Sequence, residues 1–118
     1  MTEATFRKMA LRFPETAEGS HFEVADFRVA GKIFATLGLE RDGYGVLLLK
    51  PEQQAGMVAD APELFSPVPG RWGRKGATRV LLSKAPPGVL ESALRTAWLG
   101  KAPRRLLGKP PKRAPKPQ

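Results

Sequence analysis

Residues 27–37 read Phe-Arg-Val-Ala-Gly-Lys-Ile-Phe-Ala-Thr-Leu, and their spacing decides the fold. Phe27 and Val29 alternate with Arg28, Ala30-Gly31 offers a tight turn, and Lys32 to Leu37 returns as a β-branched and aromatic strand. A hairpin is expected. Upstream, Phe22 and Val24 keep the opposite parity to Phe27 and Val29, so a bulge or bend near Ala25-Asp26 is needed if both pairs face one core. Downstream, Glu40-Arg41-Asp42-Gly43 makes a second turn, and Tyr44 to Leu49 is an unbroken apolar run that suits a central strand covered on both faces.

Helical spacing flanks this sheet on both sides. Thr2 can cap a first helix, Glu3 favours its positive end, and Phe6, Met9, Ala10 and Phe13 recur at i, i+3, i+4 and i+7 before Pro14. A polar linker, Glu15 to Ser20, follows. Pro51 and Glu52 open a second helix with a narrow face of Ala55, Met57, Val58 and Ala61, which Pro62 stops. Pro62 to Pro69 is a stiff connection in which Leu64 and Phe65 can plug the core, and Thr78 to Leu82 reads as a returning strand. Pro87 opens the most regular helix, with Leu90, Ala93, Leu94, Ala97 and Trp98 on one face, Gly100 as its C-cap and Pro103 beyond. The order predicts an α+β fold, an antiparallel sheet with helices packed on one face.

The chain has 118 residues, a single-domain length, and a formal net charge of +9. That charge is uneven. Residues 101–118 hold seven cations, five prolines and no acid, whereas residues 1–100 hold thirteen cations against eleven acids, a balance of +2. A domain over 1–100 and a basic tail over 101–118 are expected, with disorder after about Leu107 because such a segment buries too little to offset its ordering entropy. There is no cysteine and one histidine, which excludes disulfides and leaves too few ligands for zinc. No metal or cofactor is expected. Neither a signal-peptide run nor a membrane-length apolar stretch is present, so no membrane partner, a monomer and a cytoplasmic location are the expectations.

Gly70 to Arg79 carries the chemistry: Arg71, Arg74, Lys75 and Arg79 with Trp72, punctuated by Gly70, Gly73 and Gly76. Cations attract a polyanion, a flat ring can pack on sugar or base, and glycines let the backbone approach a phosphate. A solvated hairpin with the indole tucked on the core reads the same residues equally well. The spacing matches neither the dinucleotide fingerprint nor a P-loop.

Phe13-Pro14, Glu18-Gly19-Ser20-His21-Phe22, Asp26-Phe27-Arg28-Val29, Gly31 to Leu37 and Leu49-Lys50-Pro51-Glu52-Gln53 follow in order over roughly residues 5–100. In these blocks the chain resembles the MmcQ/YjbR family. The resemblance implies a fold like that of the CyaY (frataxin) proteins, with two β-hairpin wings proposed to contact DNA. Arg28, Gly31 and Lys32 match one wing, and the segment from Trp72 to Arg79 the other. It supplies no catalytic residue. Frataxin's iron binding does not carry over, since frataxins use a carboxylate-rich first helix and this one offers Glu3 beside Arg7, Lys8 and Arg12.

The remaining polar residues read as structure first. Ser20 and His21 are adjacent, so on extended chain they point to opposite faces and share a proton poorly. His21 fits a structural role, or a small pocket with Phe22 and Asp26. Glu15, Glu18, Glu23 and Asp26 read as a solvated acidic loop, a paired acid and base being the other reading. The leading expectation is a DNA-binding protein that is not an enzyme, making weak, sequence-independent phosphate contacts through Arg28, Lys32, Arg71, Trp72, Arg74, Lys75 and Arg79 with help from the tail. No helix rich in Arg, Asn or Gln is present for base readout. The alternative is a small-ligand or protein-interaction module with a pocket near His21, Phe22 and Trp72.

Overall fold

The computed structural model describes residues 2–21, 24–37 and 43–107, with the backbone alone at His21 and Leu107. Helix α1 (Glu3–Leu11) begins where the Thr2 hydroxyl accepts the Thr5 N–H at 3.2 Å. Its apolar stripe of Phe6, Met9 and Ala10 is buried, and Phe13 continues the stripe past its end.

Six strands then form one antiparallel sheet: β1 (Thr16–His21), β2 (Val24–Val29), β3 (Lys32–Thr36), β4 (Tyr44–Leu48), β5 (Phe65–Pro67) and β6 (Ala77–Leu81), in the order β1-β2-β3-β4-β6-β5. The hairpin expected at Ala30-Gly31 is present, with positive φ at both residues, 51° and 84°. That pattern matches the twist of the flanking strands. Tyr44 to Leu48 is central, paired with β3 on one side and β6 on the other. In the turn before it, residues 40–42 lie outside the described residues, and Gly43 has φ +87°.

Several expectations are corrected. The polar stretch after Glu15 is no linker but strand β1, paired along its whole length with β2. An edge strand is held by its ladder, so it needs no apolar alternation, and the hydrophobic pattern missed it. The irregularity expected near Ala25-Asp26 lies between Phe27 and Arg28, which pair with Ala35 and Ile33 and leave Phe34 as the extra residue on β3. This bulge lets both Phe34 and Ala35 join the core. The stiff connection before Trp72 contributes the short strand β5, and the expected hairpin turn around Trp72 is a one-turn helix, α3 (Arg71–Arg74).

One apolar face of the sheet is covered by α1 and by α4 (Pro87–Lys101), which buries Leu90, Ala93, Leu94, Ala97 and Trp98. Phe6 meets Phe27 edge-on at 6.0 Å, Phe13 stacks on Trp98 at 6.0 Å, and the indole Nε1 donates to the Pro14 carbonyl at 3.1 Å. Each fully buried phenylalanine contributes about 1.5–3 kcal/mol. Gly100 does not cap α4. The helix runs on to Lys101 and stops because Pro103 pushes Ala102 to an extended ψ of 143°. A short helix α5 (Arg104–Leu107) follows and Leu106 packs against the core, so packing continues beyond the boundary expected at residue 100. The tail from 108 lies outside the described residues.

Helix α2 (Pro51–Asp60) buries no residue fully, as its narrow stripe foretold, and leans on the core through Met57 and Val58. It braces α3, since Gln54 Nε2 donates to the carbonyls of Gly73 and Ala77, both at 2.9 Å. Gly73 is buried where a Cβ would collide with the Val68 carbonyl oxygen. Backbone cannot yield there, so Gly73→Ala is expected to destabilise the fold by about 3 kcal/mol in denaturant melts. Ala30→Asn should act the other way, raising stability by up to about 1 kcal/mol in the same melts, because asparagine tolerates the left-handed turn position better than alanine.

Candidate functional site

Strand direction decides what the connections bring together. The β2–β3 turn, the exit of β4 and the β5–β6 connection all fall at one end of the sheet, as does the entry to β1. The bond from Trp98 to the Pro14 carbonyl brings the last turn of α4 to that end too. This Gly31 end therefore gathers Arg12, Lys32, Lys50, Arg71, Arg74, Lys75, Lys101, Arg104 and Arg105, against Glu15 and Glu52. At the opposite end the described residues are mainly acidic: Glu3, Asp60, Glu63 and Glu91 beside Lys84. The molecule is electrically polar along its strands.

The two sequence-predicted wings share the Gly31 end. At a strand spacing of about 4.8 Å, the Ala30-Gly31 turn and the α3 segment lie about 14 Å apart across the sheet. Phosphates along one DNA strand rise about 3.4 Å apiece, so that gap spans about four of them. Lys32, Arg71, Arg74 and Lys75 are exposed and make no ion pair among the described residues, and Trp72 is 43% exposed. The indole is not tucked on the core, which favours the first of the two readings of this segment.

Two predicted contacts sit elsewhere. Directly opposed residues in an antiparallel sheet share a face, and Gly19, Asp26, Thr36, Val46, Arg79 and Ser66 form one such row across all six strands. Leu47 and Val80 belong to the helix-covered core, so this row lies on the other face of the sheet. Arg79 donates to the Ser66 hydroxyl at 2.9 Å and its guanidinium lies 4.5 Å over the Tyr44 ring. Arg28, two residues from Asp26, donates Nε to its carboxylate at 2.7 Å and Nη2 at 3.0 Å. That hydrogen bond, then the aspartate charge, raises the Arg28 pKa above the ordinary arginine value. Asp26 is fully buried, and the Arg28 guanidinium balances its charge there. Arg28 and Arg79 are thus committed within the fold and stand off the Gly31 end.

His21 and Trp72, two of the three residues of the expected pocket, are not brought together. His21 closes β1 at the end opposite Trp72, four strands away, which separates them by more than about 20 Å. The His21 side chain and Phe22 lie outside the described residues. A groove of about 410 Å³ does lie beside α3, lined by Gln54, Pro67, Val68, Pro69, Gly70 and Arg74 among others. Sequence reasoning missed Arg12, Lys50 and Lys101 as members of the cationic end. Each borders a connection or helix terminus, and counting strand directions along an antiparallel chain would have brought them together.

Among the described residues no three of His, Cys, Asp and Glu gather as a metal site, and no helix is long and apolar enough to cross a membrane. The fold and its charged end define a small α+β domain with one antiparallel sheet and a cationic crown of connections. The YjbR family model matches residues 11–99, and the chain belongs to the YjbR family. Among solved structures it is similar to Deinococcus radiodurans protein DR2400, of family domain DUF419, with 20% identity and a TM-score of 0.69 over 92% of this chain and 80% of that one. That likeness shows the fold. No curated protein sequence matches the chain.

Arg28→Ala is expected to lower the melting temperature measurably because it removes the guanidinium that pairs with the buried Asp26 carboxylate. Arg71→Ala and Arg74→Ala, at exposed positions with no ion pair among the described residues, should change stability by less than about 0.5 kcal/mol in the same calorimetric scans.

Proposed function

We propose that the protein binds DNA through the Gly31 end of its sheet, making weak phosphate contacts with little base preference, and that it does so as a cytoplasmic monomer without catalysing a reaction on its partner. The observation that carries this reading is the convergence of Lys32, Lys50, Arg71, Arg74 and Lys75, cations with no ion pair among the described residues, at one end of a body whose described residues at the other end are mainly acidic. Such a charge gradient orients the molecule in the field of a polyanion before contact. Exposed Trp72 adds a flat surface for sugar or base beside the cations. The short α3 has no length to read a groove, so affinity comes from phosphates rather than base edges. Arg28 and Arg79 support the sheet that holds these groups in place.

Fluorescence anisotropy with a labelled 20-base-pair duplex tests the reading. The triple variant Arg71→Ala, Arg74→Ala, Lys75→Ala is expected to bind at least tenfold more weakly at 50 mM salt. Its slope of log affinity against log salt should also flatten by about 2.7, the counterion release of three lost phosphate contacts. An unchanged affinity and slope would place the contact elsewhere, and no binding by the unaltered protein at low salt would remove DNA as the partner.

A further inference from the structure

Beside α3 lies a groove that phosphate contacts leave unexplained. Its volume of about 410 Å³ is in the ordinary range of small-molecule sites, and it is lined by residues 67–70, by Gly73 and Arg74 of α3 and by Gln54 of α2. The lining is held rigidly. Gln54 Nε2 donates to the carbonyls of Gly73 and Ala77, both at 2.9 Å, and the Val68 N–H donates to the Ala77 carbonyl at 3.0 Å. Gly73 packs against the Val68 carbonyl with no room for a Cβ. A ligand here meets walls that are already ordered, so little binding energy is lost in arranging them.

The chemistry of the lining selects what can enter. Apart from Gln54 and Arg74 it is proline, valine and glycine, and at exposed Gly70 an added Cβ would meet nothing within 4 Å, so a flat group can approach bare backbone. Both Gln54 N–H hydrogens are used, which leaves Oε1 as an acceptor with no hydrogen bond among the described residues. Among those residues no buried side-chain nitrogen or oxygen lacks a partner, so this amide oxygen is open to solvent. A phosphate inside the groove would find one cation and no spare amide donor, whereas a planar ring with an N–H on its edge suits both the apolar walls and the Gln54 oxygen. Around the groove Lys50, Arg71, Arg74 and Lys75 are exposed with no ion pair among the described residues, so the complementary ring is one carried on a chain of negative charge. Trp72, the residue before Gly73, is exposed as a second flat surface.

We propose that the groove between residues 67–70 and α3 holds one unpaired nucleobase of single-stranded DNA, with the next base stacked on Trp72 and the flanking phosphates on Arg71, Arg74 and Lys75. The inference rests on the DNA-binding reading above and names the form of DNA preferred. In a duplex the bases are stacked and paired, out of reach of the groove, and in a single strand they are free to enter it. Every base carries an N–H on its Watson–Crick edge, so the Gln54 oxygen orients the base with little preference among the four.

The two kinds of contact favour opposite partners. Phosphate contacts alone favour the duplex, which releases about 0.9 counterion per contact against about 0.7 for a single strand. A base-holding groove favours the single strand. Anisotropy titrations at about 50 mM salt should show a labelled strand of about 12 nucleotides binding at least threefold more tightly than the duplex it forms with its complement. A strand of equal length and charge made of abasic nucleotides should bind at least about fivefold more weakly than the intact one. In Trp72→Ala, an exposed position, the abasic penalty should persist, because one base still sits in the groove. A duplex bound as tightly as the strand, an abasic strand bound as tightly as the intact one, or a penalty that disappears with Trp72 each overturns the groove while leaving phosphate docking at this end standing. No binding of strand or duplex overturns both. In nitrogen–proton correlation spectra the side-chain amide of Gln54 and the backbone amides of Gly70 and Gly73 should shift with the intact strand and stay in place with the abasic one. Equal shifts with both strands also overturn the proposal.

Discussion

Antiparallel pairing of every neighbouring strand is the constraint on which the rest of this structure depends. Because each strand reverses its predecessor, connections alternate between the two ends of the sheet, and residues far apart in sequence meet without touching one another's strands. The turn at Gly31, the exit at Lys50, the α3 segment and the entry at Glu15 share one end for this reason alone. The apolar side chains of the strands supply the free energy that holds the arrangement. Phe6, Phe27, Phe34, Leu47, Leu90 and Leu94 are all essentially excluded from solvent between the sheet and its two covering helices.

Arginines in this protein do two different jobs, and strand position separates them. A guanidinium on a strand lies along the sheet surface within reach of side chains on the same face, so Arg28 finds Asp26 two residues back on its own strand and Arg79 finds Ser66 opposite and Tyr44 diagonally. A guanidinium on a tight connection projects from the end of the sheet with no row neighbour, which leaves Arg71 and Arg74 in water. Charge on the first kind is already spent within the protein. Charge on the second kind remains available to a partner, and the proximity of α3 to the Gly31 turn makes it collective.

The C-terminal segment links the two halves of the charge distribution. Most of the chain's excess positive charge lies after Gly100, and its root is tied beside Glu15 rather than at the acidic end. The hydrogen bond and charge of Glu15 raise the Arg105 pKa above its ordinary value. A base whose pKa rises on folding keeps its stabilising charge at every pH below the unfolded value, so Arg105 stays ionised across the neutral range.

Local patterning along the chain was enough to determine the helices α1, α2 and α4, the Ala30-Gly31 hairpin and the central strand, because burial on one stripe or one face leaves a period in the sequence. Phe6, Met9 and Ala10 at helical spacing, and Tyr44 to Leu49 as an apolar run, needed nothing else. Strand β1 was hidden, since Thr16 to His21 is held by hydrogen bonds to β2, which carry no side-chain signature. Tertiary structure alone decided which cations share one end of the sheet. The decapeptide at Gly70 announced its charge, yet whether Trp72 was buried, whether Arg28 was free and where Lys50 and Arg105 stood all turned on strand order and pairing register. Electrostatic fields add over distances in space, and distance in space is what a linear sequence leaves open until the sheet closes.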